Sequence, residues 1–269
     1  MTPATRLILS LAASLYGLLT ASLAQPNPVE FPPATEAILA SGFDGTLCLY
    51  DLKTQTYRTN RNPSIDTPRI PASTFKIFSS LVALETGVID SREATIEWDG
   101  NWNSRTELNR DLTLQSAFRL SAVPHYQELV RRIGPARMQR HIDAVGYGNR
   151  DISGGDDSFW LTGALRITPR QQIEFLTRLY SDDLPFSPET MAAVRAMMLV
   201  EETASYKLRA KTGLAILEGD RYTGWWVGWG ERKAEVTFFA TVLDAQSPDE
   251  TFAHARIAIT REALALPAK

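Results

Sequence analysis

Six lysines occur in the 269-residue chain, and one of them, Lys76, has a serine three positions ahead of it. The segment reads Pro71-Ala-Ser-Thr-Phe-Lys76, which sets a hydroxyl and an amine one helical turn apart on a shared face. A serine hydroxyl is a weak nucleophile until a neighbouring base removes its proton. An amine can be that base if burial disfavours its charged form, and Phe75, Ile77 and Phe78 supply an apolar setting. A helix start at Ser73 adds free backbone N–H groups and the positive end of the macrodipole, both favouring developing negative charge. Taken alone, the pattern fits better a serine that merely caps a helix and a lysine on the surface.

Other chemistries find less support. His125, His141 and His254 lie far apart and form no H-x-x-x-H pair, so a zinc hydrolase is not indicated and no metal site is expected. The single cysteine, Cys48, sits in the apolar run Thr46-Leu-Cys-Leu-Tyr50 and reads as a buried structural thiol. With one cysteine there is no intramolecular disulfide. A formal charge of −3 gives no basic footprint for nucleic acid or for an anionic membrane surface.

The elements that must position Ser73 and Lys76 follow from periodicity and punctuation. Pro32-Pro33 opens a short helix over Ala34 to Ala40, stopped by Ser41-Gly42. Residues 45–50 and 55–59 read as strands, and Ser73 to Glu85 as a helix closed by Gly87. Between 110 and 195 the spacing predicts helices at 112–119, 124–133, 135–144, 169–180 and 187–199, broken by a Gly/Asp-rich loop at Asp151 to Asp157. Strand character returns at 206–217, 222–230 and 234–244, and a helix over about 250–265 closes the chain. The expected fold class is α/β (α+β): an antiparallel sheet flanked by terminal helices, with an all-helical lobe inserted. The sheet lobe takes about 30–65 and 200–269, and the helical lobe about 70–198.

Further motifs follow Ser73 in order: Ser121-Ala-Val123, Tyr147-Gly-Asn149, Phe159-Trp-Leu161, Lys211-Thr-Gly213, Gly224-Trp-Trp-Val-Gly-Trp229 and Arg256. Each is weak by itself. Together the chain resembles the serine β-lactamases and penicillin-binding proteins, and Tyr147-Gly-Asn149 with Phe159-Trp-Leu161 resembles class D, the oxacillinases. The resemblance covers roughly residues 30–265. It implies a hydrolase in which Ser73 attacks a β-lactam carbonyl and the N–H groups of Ser73 and Leu214 stabilise the oxyanion. It implies that Lys76 is carboxylated by CO2 and acts as base, with the Trp160 indole donating to the carbamate and Val123 lining its pocket. It implies that Ser121 passes a proton to the leaving nitrogen. Lys211, Thr212 and Gly213, with Leu214 and Arg256, would bind the substrate, the cations and Thr212 receiving its carboxylate. Leu214 departs from the aromatic residue common there, which changes the pocket wall and leaves the backbone donor intact.

Two relatives of the same design stay open: a D,D-peptidase and a β-lactam sensor domain, each acylated at the same serine. At the start of the chain, Arg6 precedes the apolar stretch Leu7 to Leu23, which ends in Ser22-Leu23-Ala24. This is the pattern of a secretory signal peptide, residues 1–24, removed before a catalytic domain at 25–269. The implied setting is a bacterial periplasm without stable membrane anchoring, as a monomer or homodimer with a small-molecule substrate.

Overall fold

In the computed structural model of the protein, residues 27–60 and 64–267 are described, and the expected leader lies outside them. A short strand β1 (Val29–Glu30) leads into helix α1 (Pro32–Ser41), which Gly42 ends in the left-handed conformation at φ 73°. Strands β2 (Asp44–Asp51) and β3 (Thr56–Thr59) follow. After the inserted lobe come β6 (Leu199–Glu202), β7 (Lys207–Leu217), β8 (Arg221–Arg232), β9 (Glu235–Gln246) and the closing helix α8 (Thr251–Ala263). The inserted lobe carries α2 (Lys76–Glu85), the two-residue strands β4 (Thr95–Ile96) and β5 (Leu112–Thr113), and helices α3 (Leu114–Leu120), α4 (Val123–Ile133), α5 (Pro135–Val145), α6 (Pro169–Tyr180) and α7 (Pro188–Met197).

The seven-stranded sheet has the order β1-β3-β2-β9-β8-β7-β6, antiparallel except where β1 pairs with β3. Its terminal strands come from both ends of the sequence, which is why the helical lobe is an insertion. Two expectations need correcting. The lobe is not all helical, because β4 and β5 pair within it, and α3 starts only at Leu114. One sheet edge is β6, whose first residue, Leu199, falls at the end of the helix expected over 187–199; that helix stops at Met197.

Local chemistry sets the helix ends. Thr113 and Ser187 accept hydrogen bonds from the N–H groups of Ser116 and Thr190, capping α3 and α7. Thr168 and Gln171 form a reciprocal capping box on α6. Strand β8 explains its own aromatic run: Trp225, Val227 and Trp229 pack into the core against the helical lobe, and Trp226 packs with Phe239 on the face covered by α1 and α8. Period-2 alternation thus feeds two cores from one strand. Large side chains of this kind each contribute roughly 1.5–3 kcal/mol when fully buried. Among the described residues no helix is long and apolar enough to cross a membrane.

Candidate active site

Residues Ala72–Phe75 form a 3₁₀ turn that runs directly into α2, and Ser73 sits within it. The helix expected from Ser73 therefore begins one turn later, because Ala72 is left-handed at φ 48° and cannot continue an α-helical path. Lys76 Nζ donates to Ser73 Oγ at 2.9 Å. Lys76 is fully buried, and desolvation holds its amine well below the usual lysine range, helped by the charges of Lys211 and Arg105. Its Nζ lies 5.1 Å from the centre of the Tyr126 ring.

A second Ser–Lys pair spans the junction of the two lobes, near enough for the Lys211 charge to act on Lys76. Ser121 links α3 to α4 in the left-handed conformation, φ 54°, and its Oγ accepts from Lys211 Nζ at 2.9 Å. Lys211 Nζ also donates to the Thr212 carbonyl at 2.9 Å. Burial, then the nearby Arg256 and Arg105 charges, push the Lys211 amine down to about 7. The turn that carries Ser73 closes tightly on β7: a Cβ on Gly213 would stand 3.0 Å from the Pro71 carbonyl oxygen and 3.3 Å from Thr74 N. A side chain there would push the turn back by a few tenths of an ångström, and Leu214 follows on the strand, 39% exposed.

Arg256 completes the cationic side. It projects from α8 against β8, where a Cβ on Gly224 would come within 2.8 Å of its Nη1. The guanidinium is buried, its Nε and Nη1 have no hydrogen-bond partner among the described residues, and desolvation lowers its pKa to about 10. Buried unpaired donors of a cation are costly, so the arrangement is suited to an arriving anion. A groove of about 880 Å³ runs beside Lys211 and Thr212, walled by Phe118, Met198, Trp226 and Ile257.

Trp160 lies behind the turn that carries Ser73, its indole stacked on Phe75 with ring centres 5.4 Å apart. Its carbonyl accepts from Ala72 N at 2.9 Å, while its buried Nε1 has no partner among the described residues. Val123, partly buried, opens α4 two residues after Ser121. The structure thus gathers Ser73, Lys76, Ser121, Lys211, Thr212, Gly213, Leu214 and Arg256 at one junction, with Trp160 behind it.

Three contributors escaped the sequence reading. Arg105 donates to the Leu120 carbonyl at 2.9 Å, and its charge weighs on both lysines. Tyr126 floors the Lys76 pocket, its hydroxyl 2.8 Å from Ser80 Oγ. Trp225 Nε1 donates to the Ile70 carbonyl at 2.9 Å, just ahead of the nucleophile turn. Arg105 and Tyr126 carry no motif, and Trp225 lies in Gly224-Trp-Trp-Val-Gly-Trp229, a pattern that gives it no individual role.

This chemistry and topology agree with known proteins. The family model of the penicillin-binding protein transpeptidase domain matches residues 33–265. The chain is 41% identical over 220 residues to β-lactamase OXA-48 of Klebsiella pneumoniae, covering 82% of each chain. A solved class D β-lactamase from Nostoc is 42% identical and superposes with a TM-score of 0.82, over 87% of this chain and 99% of that one. The regulatory protein BlaR1 of Bacillus licheniformis is 30% identical over 94% of this chain but only 43% of its own length. The chain belongs to the penicillin-binding protein transpeptidase family and, within it, to the class D serine β-lactamases.

Proposed function

We propose that this protein is exported to the periplasm and hydrolyses β-lactam antibiotics there through an acyl-enzyme on Ser73. The observation that carries the reading is the fully buried Lys76 amine, whose charged form desolvation disfavours and which lies 2.9 Å from the Ser73 hydroxyl. Lys76 takes the hydroxyl proton as Ser73 Oγ attacks the lactam carbonyl. The N–H groups of Ser73 and Leu214 hold the oxyanion, and the C–N bond of the ring then breaks. Lys211 and Ser121 form the proton path to the leaving nitrogen. Lys211, Thr212 and Arg256 hold the substrate carboxylate by charge-assisted hydrogen bonds. Water then attacks the ester, Ser73 regains its proton and the opened acid leaves.

Lys76 also fits the CO2 adduct that the class D resemblance implies. Only a neutral amine reacts with CO2, burial favours that form, and the partnerless Trp160 Nε1 is a donor suited to an anion. Val123 would line its pocket. When bound as a carbamate on Lys76, CO2 supplies an anionic base.

The test is penicillin hydrolysis by the purified mature protein, with intact-mass spectrometry of the acyl-enzyme. Rapid turnover with a transient adduct at Ser73 supports the reading. An adduct that persists without turnover would place the protein with the sensors instead, and no adduct at all would overturn the nucleophile.

A further inference from the structure

Tyr147, Asn149 and Gln172 have no part in the chemistry above, yet all three converge on the nucleophile turn. Ser73 follows an alanine held at φ 48°, a conformation that an L-residue with a side chain keeps only where its surroundings impose it. Four hydrogen bonds impose it here. Trp225 Nε1 donates to the Ile70 carbonyl at 2.9 Å, and Ala72 N to the Trp160 carbonyl at 2.9 Å. Thr74 donates twice to the Pro71 carbonyl, from N at 3.2 Å and from Oγ1 at 2.7 Å.

Donor counting fixes the rest. The single Thr74 hydroxyl proton is spent on Pro71, so its oxygen is left as an acceptor, and Gln172 Nε2 fills it at 2.8 Å. Thr74 and Gln172 are both wholly buried. The Tyr147 hydroxyl, also buried, sits against Thr74 and Gln172 without closing a hydrogen bond of good geometry to either. From the same motif, Asn149 N donates to the Arg166 carbonyl, Arg166 N donates to Asn149 Oδ1, and Asn149 Nδ2 donates to the Ala164 carbonyl, each at 2.9 Å. The adjoining Ile167 exchanges two backbone hydrogen bonds, 2.8 and 2.9 Å, with Arg69, three residues ahead of Ala72. One motif therefore reaches the turn from both sides, through Arg69 before it and through Thr74 after it.

We propose that Gln172 is a positioning residue for Ser73, acting through the Thr74 hydroxyl to hold the strained Pro71-Ala72-Ser73 turn against β7. This rests on Ser73 being the acylated nucleophile. The Thr74 methyl lies 3.1 Å from where a Cβ on Gly213 would be, so the turn and the strand that carries Leu214 meet closely at this residue. A displacement of about 1 Å at a reacting atom can cost on the order of 10²-fold in rate, so a fixed turn matters to the chemical step more than to binding.

Thr74→Val keeps the shape and deletes the hydroxyl, and Gln172→Met keeps the volume and deletes the amide. Stopped-flow acylation by a chromogenic cephalosporin should slow by about 10- to 100-fold in each. Thr74→Ser, which restores the hydroxyl, should return to within about threefold of the parent. Non-covalent penicillin affinity, measured with each change placed in a Ser73→Ala background, should stay unchanged, a split between chemistry and binding that general loosening of the core would not give. If Thr74→Val fails to fold, Gln172→Met carries the test alone, since it deletes the donor to Thr74 Oγ1 and leaves the Thr74 to Pro71 hydrogen bonds in place. Parental acylation rates in these folded variants, or rate losses matched by equal losses of affinity, would overturn the proposal. Absence of any adduct on Ser73 in the unmodified protein would overturn the catalytic reading instead.

Discussion

The two Ser–Lys pairs have the same length, 2.9 Å, and opposite origins. Ser73 and Lys76 are three residues apart, and one helical turn makes their contact. Ser121 and Lys211 are 90 residues apart and meet only because the helical lobe packs on the edge of the sheet. Their surroundings differ in the same way. Lys76 is sealed among Phe75, Tyr126 and the rest of the helical core, where the dominant influence is loss of water. Lys211 keeps a slight opening, a second acceptor in the Thr212 carbonyl, and Arg256 as a neighbouring cation. Desolvation alone makes a base. Desolvation next to an unsatisfied cation makes an anion receptor whose protonation depends on what arrives.

The largest effect should separate the serines. Ser73→Ala should abolish penicillin labelling and lower turnover by about 10⁴ or more, because the covalent route is gone. Ser121→Ala should still label at Ser73, with acylation slower by about 10²-fold for want of the proton path. An adduct on Ser121, or equal losses in the two variants, would erase the distinction between the pairs.

The next prediction concerns the sealed pair alone. Carbon-13 NMR of the ligand-free protein in labelled bicarbonate should show a carbamate signal that fades at mildly acidic pH, where protonation drives off CO2. Trp160→Ala should weaken that signal and slow deacylation by about 10²-fold, more than it slows acylation. Full activity in CO2-free buffer with no carbamate signal would mean that Lys76 works as a free amine.

Arg256→Ala acts on the other pair. Charge-assisted hydrogen bonds of roughly 1.5–3 kcal/mol imply a loss in kcat/KM of about 10-fold or more. Substrates esterified at the carboxylate should show no such loss. Equal losses on acid and ester would assign Arg256 to the fold.

The same comparison shows what a sequence exposes. Ser73-x-x-Lys76 is legible because a local contact is written in its spacing. The long strands β7, β8 and β9 are legible because apolar, β-branched or aromatic residues recur through the 11 or 12 residues of each, β8 and β9 being buried on both faces at their centres. Ser121 facing Lys211 is a tertiary contact, reached only through resemblance to a family. β4, β5 and β6 span two to four residues, too few to establish a period. Arg105 acts on the lysines through space from a loop with no signature, and the reach of Gln172 to Thr74 depends on how α6 packs beneath the nucleophile. Tyr147 could be read as a turn residue, but its place beside Thr74 could not.

The smallest effect is the most specific to Lys211. Its folded pKa of about 7 lies below the unfolded lysine value of about 10.4, so between those pH values the unfolded chain binds more protons. Stability should therefore rise with pH across that window and be insensitive to Lys211 below it. Lys76 is shifted in the same direction, so the slope carries both amines, and Lys211→Met should remove one share of it. Ligand binding isolates that share. A carboxylate beside Lys211 favours the ammonium, whereas Arg256, at about 10, is already charged at pH 8. In a Ser73→Ala background, where no ester forms, penicillin binding at pH 8 should take up a fraction of a proton, approaching one. Calorimetry in two buffers of different ionisation enthalpy measures it. Adding Lys211→Met should abolish the uptake and weaken binding by about 3- to 10-fold, the loss of one charge-assisted bond partly covered by Arg256. Proton uptake that survives Lys211→Met would assign the titration to Lys76. No uptake in the parent would mean that Lys211 is already an ammonium before the carboxylate arrives, and that the two pairs differ in charge as well as in neighbours.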